Sequence, residues 1–324
     1  MELFYSTFKP LIQRAFLYPE NLKTKEMIPM SDKTKTLTTS VTSRDPKGLK
    51  ATSIFADAYN SLKLDDERAQ RLNEHPDFSL GLKQLITKCS ASNQYASEET
   101  ASNYTYPEGY EILPIEEQIK KIAEIFGLNP TEALEYAKNL PKLPEGAEGW
   151  FAIPRWDKVA STYNQAVETA LAKFGESRKF YNYRKGELGE KYLRQSQRSL
   201  DMWDKLYEQQ PGDIIIVPAQ FGLRHRGKSV RRARETFSIN EFGLGVFATT
   251  CMLLTHPTRL KVWEQLHWDC AGDEYNWDVG GGWSGCPYFG FDDDGVEFGA
   301  SRVEGVGQGF GSASAFLFGS VLEA

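Results

Sequence analysis

The chain is poor in the residues that carry most recognisable chemistry. Its 324 residues hold four cysteines, four histidines and five methionines. Cys89, Cys251, Cys270 and Cys286 include no pair at CxxC spacing and none at zinc-finger distance from a histidine, so no thiol-redox or structural zinc motif is present. They read as small buried or half-buried residues, and a Cys270–Cys286 bridge stays open only for an oxidising compartment. His75, His225, His256 and His267 are scattered and fit no G-x-S-x-G, H-E-x-x-H or Cys–His pattern. No catalytic residue, cofactor or metal is therefore expected. No apolar run approaches the ~18 residues of a membrane span. Met1 to Phe16 carries Glu2, Lys9 and Arg14 among its apolar residues, unlike a secretory signal. A cytoplasmic protein is the default expectation, with display at a surface or on a virion left open. The net charge of −6 argues against general nucleic-acid binding.

What is present suffices for a folded protein. The chain is 40% hydrophobic and 13% aromatic, and its length suggests about two domains. Residues 1–145 read as a helical, loop-rich accessory region. Lys23 to Lys50 and Ser90 to Tyr106 look like loops or linkers, and Ile54 to Ile86 is helical in parts. Ile115, Ile119, Ile122 and Phe126 recur at helical spacing, and Gly127 ends that helix. Asn129-Pro130 starts another, running to about Leu140. Residues 146–324 read as an α+β domain. Trp150 to Ile153 is a strand. Val159, Tyr163, Val167, Ala170, Leu171 and Phe174 form a helical stripe, and a second helix spans Glu187 to Tyr207. The β-branched run from Asp213 to Val217 is a buried strand.

Gly222-Leu223-Arg224-His225-Arg226-Gly227-Lys228-Ser229 formally matches the phosphate-loop pattern and follows a strand. It would make the chain a nucleotide-binding protein through Lys228 and Ser229. Its bulky middle residues and the short helix after it weigh against that. The basic stretch Arg224 to Arg234 could instead meet nucleic-acid phosphates. Internal pairing with the acidic segment Glu264 to Glu304 is the preferred reading. Asp269, Asp273, Glu274 and Asp278 lack the spacing of a helix-loop-helix calcium site.

The segment Asn276 to Phe310 has ten glycines and seven aromatics, yet no Lys, Leu, Ile, Met, Thr or His. Tyr288 to Phe291, the turn Asp292-Asp293-Asp294-Gly295 and Val296 to Phe298 read as a hairpin. Phe289, Phe291 and Phe298 are expected to anchor it from the buried side while alternate neighbours face solvent. The run Trp283…Pro287-Tyr288-Phe289…Phe291…Asp294-Gly295-Val296-Glu297-Phe298, closing on Gly311-Ser312-Ala313-Ser314-Ala315-Phe316, resembles the variable region of diversity-generating retroelement target proteins. Asn240 to Gly245, Leu254 to Pro257 and Asp269 to Glu274 resemble the elements that lead into it. Ala315 departs from the glycine common there.

That resemblance, over roughly residues 150 to 324, implies a C-type lectin-like fold of the formylglycine-generating-enzyme subtype. It also implies a non-enzymatic protein whose ligand surface is rewritten by a reverse transcriptase that mutates template adenines. The exchangeable, ligand-binding positions would be Gly280, Gly282, Ser284, Gly285, Tyr288, Gly290, Asp292, Asp293, Gly299, Ser301, Val303, Gly305, Gly307, Gly309 and Phe310, in a variable region of about 276–318. The partner would be a protein or surface ligand, and an oligomer is possible.

Overall fold

A computed structural model describes residues 46–90, 92–278 and 281–318. The chain divides into two units, one ending at Ala69 and one beginning at Gln70. The first contains α1 (Pro46–Ser61) and the start of α2 (Asp66–Glu74). The second begins within α2 and continues with α3 (Phe78–Ser90). Its compact part is α+β. Among the described residues no helix is long and apolar enough to cross a membrane.

α4 (Ile115–Phe126) follows its apolar spacing closely. Ile119 and Ile122 are fully buried, and Gly127 ends the helix at φ 68°, a left-handed value glycine reaches without strain. α5 (Thr131–Ala137) is shorter than expected, and Asn129 Oδ1 accepts from the Thr131 amide at 3.1 Å. β1 (Gly149–Pro154) comes next, then α6 (Trp156–Val159) and α7 (Tyr163–Ser177). Val159 thus belongs to a separate short helix. The expected helix from Glu187 to Tyr207 is divided. After β2 (Phe180–Asn182), the chain passes through turns into β3 (Leu193–Gln195), and only α8 (Gln197–Gln209) is helical. Tertiary contacts override local propensity here. β3 pairs with β7 (Asp273–Tyr275), and Asn164 donates to the carbonyls of Leu188 and Leu193 at 2.6 and 3.0 Å.

β4 (Ile214–Gln220) is buried at every position. A short 3-10 turn and α9 (Val230–Thr236) follow, then β5 (Glu241–Gly243), the uncharged and largely buried α10 (Val246–Thr255) and β6 (His267–Asp269). β8 (Gly285–Asp292) and β9 (Gly295–Arg302) form the expected hairpin. Asp293 takes φ 50° at its tip, as a two-residue turn requires. β10 (Phe310–Ser312) and β11 (Ser314–Phe316) close the described chain.

The strands form two sheets. One runs β1-β4-β11-β5, all antiparallel. In the other, β9 lies along one edge of β8, and β6 and β7 share its opposite edge. β10 extends it beyond β6 and β2 beyond β9, both in parallel. Buried glutamines finish the first sheet. Gln118 bonds Trp150 O at 2.9 Å and the Ala152 amide at 3.2 Å, so the free edge of β1 keeps its polar groups satisfied.

One continuous core joins Ile119, Ile122, Ala133 and Ala137 of α4 and α5 to Phe151, Phe174, Phe289 and Phe298. The expected division near residue 145 therefore runs through a core, not between cores. The segment expected as a linker at Ser90 to Tyr106 is bonded along its length. Gln94 and Tyr95 amides donate to Glu235, the Thr100 amide donates to Gly227 O at 2.7 Å, and Leu266 donates to Thr105 O at 2.9 Å. It is a strap across the domain. All four cysteines are free. Cys270 belongs to the main core and Cys286 to a second cluster with Val230, Ala233, Phe237 and Ala271.

Two backbones cross where β4 leaves its sheet. A Cβ on Gly222 would lie 2.8 Å from Gly311 O, and one on Gly311 would collide with Gly222 O. Gly311→Ala should therefore lower unfolding free energy by about 3 kcal/mol, whereas Gly282→Ala, in open space, should change it by less than about 0.5 kcal/mol. Denaturant titration of both variants checks this, and equal midpoints would show that the crossing is not tight.

Candidate functional site

The basic loop is spent on the fold. Glycine amides that would cradle a phosphate have internal acceptors: Gly222 donates to Gln220 Oε1 at 2.6 Å and Gly227 to Phe310 O at 2.8 Å. The Ser229 amide donates to Glu98 O at 3.0 Å, and the Lys228 amide to His225 O at 3.3 Å. Ser229 Oγ is fully buried, donates to Glu98 at 2.7 Å and accepts from the Arg232 amide at 3.1 Å as the cap of α9. Lys228 Nζ donates to Thr236 at 3.2 Å. With its donors satisfied, this loop lacks the concave set of free amides that phosphate binding needs.

The cations are paired internally, but with different acids from those expected. Arg231 Nε meets both Glu98 oxygens at 2.9 and 2.7 Å, and Arg232 pairs with Glu99 and Glu235. Arg226 donates to Tyr104 O at 3.1 Å, and Arg224 meets Glu241 at 3.2 Å. The later acidic segment is met by the Arg234 side chain, which donates to the carbonyls of Ala271 and Asp273 at 2.9 and 2.8 Å, and by the Arg231 amide, which donates to Val303 O at 3.2 Å. The strap supplies two of the pairing acids, Glu98 and Glu99, and Glu235 and Glu241 supply the others. Of the acids once weighed for calcium, Asp269 and Asp273 are buried. Asp273 accepts from Tyr163 and from the Val246 amide at the start of α10.

The hairpin has a core face and an outer face, and on the outer one Tyr288, Asp292 and Ser301 are half-buried while Gly290, Glu297 and Gly299 are buried. Successive side chains on β8 and β9 alternate between faces. Phe289 and Phe298 face the core fully buried, and Phe291 is 7% exposed. The other face carries Tyr288, Gly290 and Asp292 opposite Gly299, Glu297 and Gly295. Two glycines set its relief. A Cβ on Gly299 would lie 2.7 Å from the Tyr288 ring, and one on Gly290 would lie 2.6 Å from a Glu297 carboxylate oxygen. Each glycine thus lets its cross-strand neighbour lie flat over it. Burial first, then the Glu297 charge, raises the Tyr288 phenol to about 12. Glu297 is raised by burial and by Asp292, against a hydrogen bond from Tyr288.

β2 widens this face. It pairs with β9 so that Tyr181 lies beside Glu297. The Tyr183 amide donates to Phe298 O at 3.0 Å, carrying Tyr183 onto the same face. On the other side an aromatic row continues from Tyr288 to Phe310 at 5.5 Å, His267 at 5.1 Å and Trp263 at 5.0 Å. Tyr183 and Trp263 are each 54% exposed.

The candidate positions divide accordingly. Tyr288, Gly290, Asp292, Gly299 and Ser301 share the outer hairpin face. Asp293 is at its exposed tip, and Phe310 meets Tyr288 at its edge. Gly305, Gly307 and Gly309 are in the loop between β9 and β10, Gly309 next to Tyr104. Gly282, Ser284 and Val303 cluster at the far end, where the Val303 amide donates to Ser284 O at 3.0 Å. Gly285 is buried on the frame side, where a Cβ would meet Tyr275 O at 2.9 Å. Gly280 lies outside the described residues. Tyr181, Tyr183 and Trp263 were not marked by the sequence reading, since a three-residue parallel strand and a loop give no local signal for joining a distant hairpin.

Searches of family models, curated proteins and solved structures return no match to this chain.

Glu241 provides a testable titration linkage in this region. Burial would raise its carboxyl, but His225, Arg224 and Ser314 hold it at about 2. A lowered carboxylate stabilises the fold above its unfolded pKa and ceases to do so as pH falls through the folded value. Unfolding free energy should thus drop by about 3 kcal/mol between pH 5 and pH 2 through this group alone. Glu241→Gln should flatten that part of the pH–stability curve. An unchanged slope would contradict the assignment.

Proposed function

We propose that this chain is a non-enzymatic binding protein. Its C-terminal part would be a lectin-like domain presenting a surface of exchangeable residues, as in diversity-generating retroelement target proteins. The observation that carries the reading is the segregation within the β8–β9 hairpin. Core-facing positions are Phe289, Phe291, Val296 and Phe298, whereas Tyr288, Gly290, Asp292, Gly299 and Ser301 lie on the other face. Five of the candidate exchangeable positions therefore share one face, and an exchange there leaves the apolar frame in place. The closing motif supports the reading differently. Ser314 and Ala315 are held between β4 and β5, which ties the end of the proposed variable stretch to the first sheet. Small residues beside aromatic ones suit recognition that must adapt at low entropy cost.

The domain of this reading starts near β1, although its core also takes in α4 and α5. The nucleotide and nucleic-acid alternatives lose support because the groups they need are bonded internally.

The test is in the flanking DNA. A reverse transcriptase gene and a template repeat nearly identical to the codons for about 276–318 should lie beside this gene. Differences between the copies should fall only at template adenines. They should include codons for Tyr288, Asp292 and Ser301 and spare those for Phe289 and Phe298. Substitutions spread over all four bases, or no repeat, would overturn the proposal.

A further inference from the structure

The turn after α10 carries an arginine into the interior. Pro257 and Thr258 are exposed, the Arg259 amide donates to His256 O at 3.0 Å, and the Arg259 side chain has no exposed surface. Its guanidinium lies among rings. Arg259 Cζ is 3.8 Å from the Tyr106 ring centroid, 5.0 Å from that of Trp268 and 5.3 Å from that of Phe221. Ring faces attract the charge, but they do not replace the acceptors that five N–H donors need.

Those acceptors are missing. Nη2 makes one long contact, to Phe221 O at 3.5 Å, and Nε and Nη1 have no partner among the described residues. Burial pushes the guanidinium down, and Tyr106, Glu148 and Tyr110 oppose that only in part. Glu148 is engaged elsewhere: the Tyr106 hydroxyl donates to one of its oxygens and the Phe221 amide to the other at 3.2 Å. Two more donors belong to the same cluster. Trp268 Nε1 is buried and unpartnered, on a side chain with no exposed surface that packs on Phe221 at 5.3 Å. Tyr110 Oη is also buried and unpartnered, and its ring touches those of Tyr106 at 5.3 Å and Phe221 at 6.5 Å. Folded proteins leave few buried polar groups unsatisfied. Here the unsatisfied groups all donate, and they surround a charge that an arginine does not lose.

We propose that Arg259, Trp268 and Tyr110 together hold a small monovalent anion, chloride in a salt solution, in a closed interior site. Closure selects the ligand. Arg259 and Trp268 expose nothing to solvent, so the occupant is an ion enclosed as the chain folds, not a side chain or phosphate of a docking partner. Tyr106 ends the strap, Tyr110 follows it, Phe221 leaves β4 and Trp268 lies on β6. The ion therefore joins segments that meet only in the folded chain, and binding it stabilises that state. The site is separate from the outer face of the hairpin and does not depend on how that face is read.

The test is thermal unfolding of the full chain at fixed ionic strength as chloride replaces gluconate, an anion too large for a closed site. The chloride NMR line width is followed in parallel, since ions exchanging with a protein site broaden. The wild-type midpoint should rise with chloride, and the line should broaden. Trp268→Phe and Tyr110→Phe each keep the ring and remove one donor, and each should weaken chloride binding about tenfold. Arg259→Met should abolish the chloride dependence of both readouts, whatever it does to the midpoint itself. If Arg259→Met does not fold, the two single-donor variants decide. A wild-type midpoint and line width indifferent to chloride would overturn the proposal and leave water on these donors. Chloride dependence that persists unchanged in the variants would overturn it as well, because the ion would then bind elsewhere.

Discussion

A buried carboxylate ties the distant parts of this domain together. Glu241, fully buried on β5, accepts from His225 at 2.6 Å, Ser314 at 2.7 Å, Arg224 at 3.2 Å and the Ser238 amide at 3.1 Å. Those donors come from the 3-10 turn after β4, from β11 and from the loop before β5. A charge removed from water is tolerable only when its oxygens are satisfied in this way. The same bonds fix β11 between β4 and β5, and β10 is bonded to β6 only two residues earlier. The position of the segment from Asn276 to Phe310 relative to both sheets follows from that anchorage.

Two sequence features acquire one structural cause. The first glycine of the phosphate-loop pattern, Gly222, and the first glycine of the closing motif, Gly311, are the two sides of a single backbone crossing. Of the six cations after Gly222, Arg231 and Arg232 are the counter-charge of the strap, whose Glu98 and Glu99 dock on α9. A formal motif match therefore reflects packing chemistry. Its glycines permit close approach, its serine caps a seven-residue helix, and its lysine is directed to Thr236.

What the sequence made legible was local. The spacing of Ile115, Ile119 and Ile122, the β-branched run of β4 and the Asp-rich turn of the hairpin encode their own geometry within a few residues. The alternation of Phe289, Phe291 and Phe298 also indicated which face is buried. What it concealed was non-local. The strap looked like a polar linker because its bonds reach Glu235, Gly227 and Gln308 far along the chain. The break at Glu187 to Gln195 depends on pairing with β7. Likewise, Tyr181 and Tyr183 join the hairpin face only through the parallel register of β2 on β9. Gly285 misled for a related reason: small residues occur both where a surface is exchangeable and where a frame is crowded.

The central claim is that frame and decoration are separable within one hairpin. Saturation mutagenesis of residues 285–310, read out by protease resistance of the folded chain, measures this most directly. Tolerance should alternate along β8 and β9, high at Tyr288, Asp292 and Ser301 and low at Phe289, Phe298 and Val296. Uniform intolerance, or tolerance that ignores which face a residue occupies, would contradict the account.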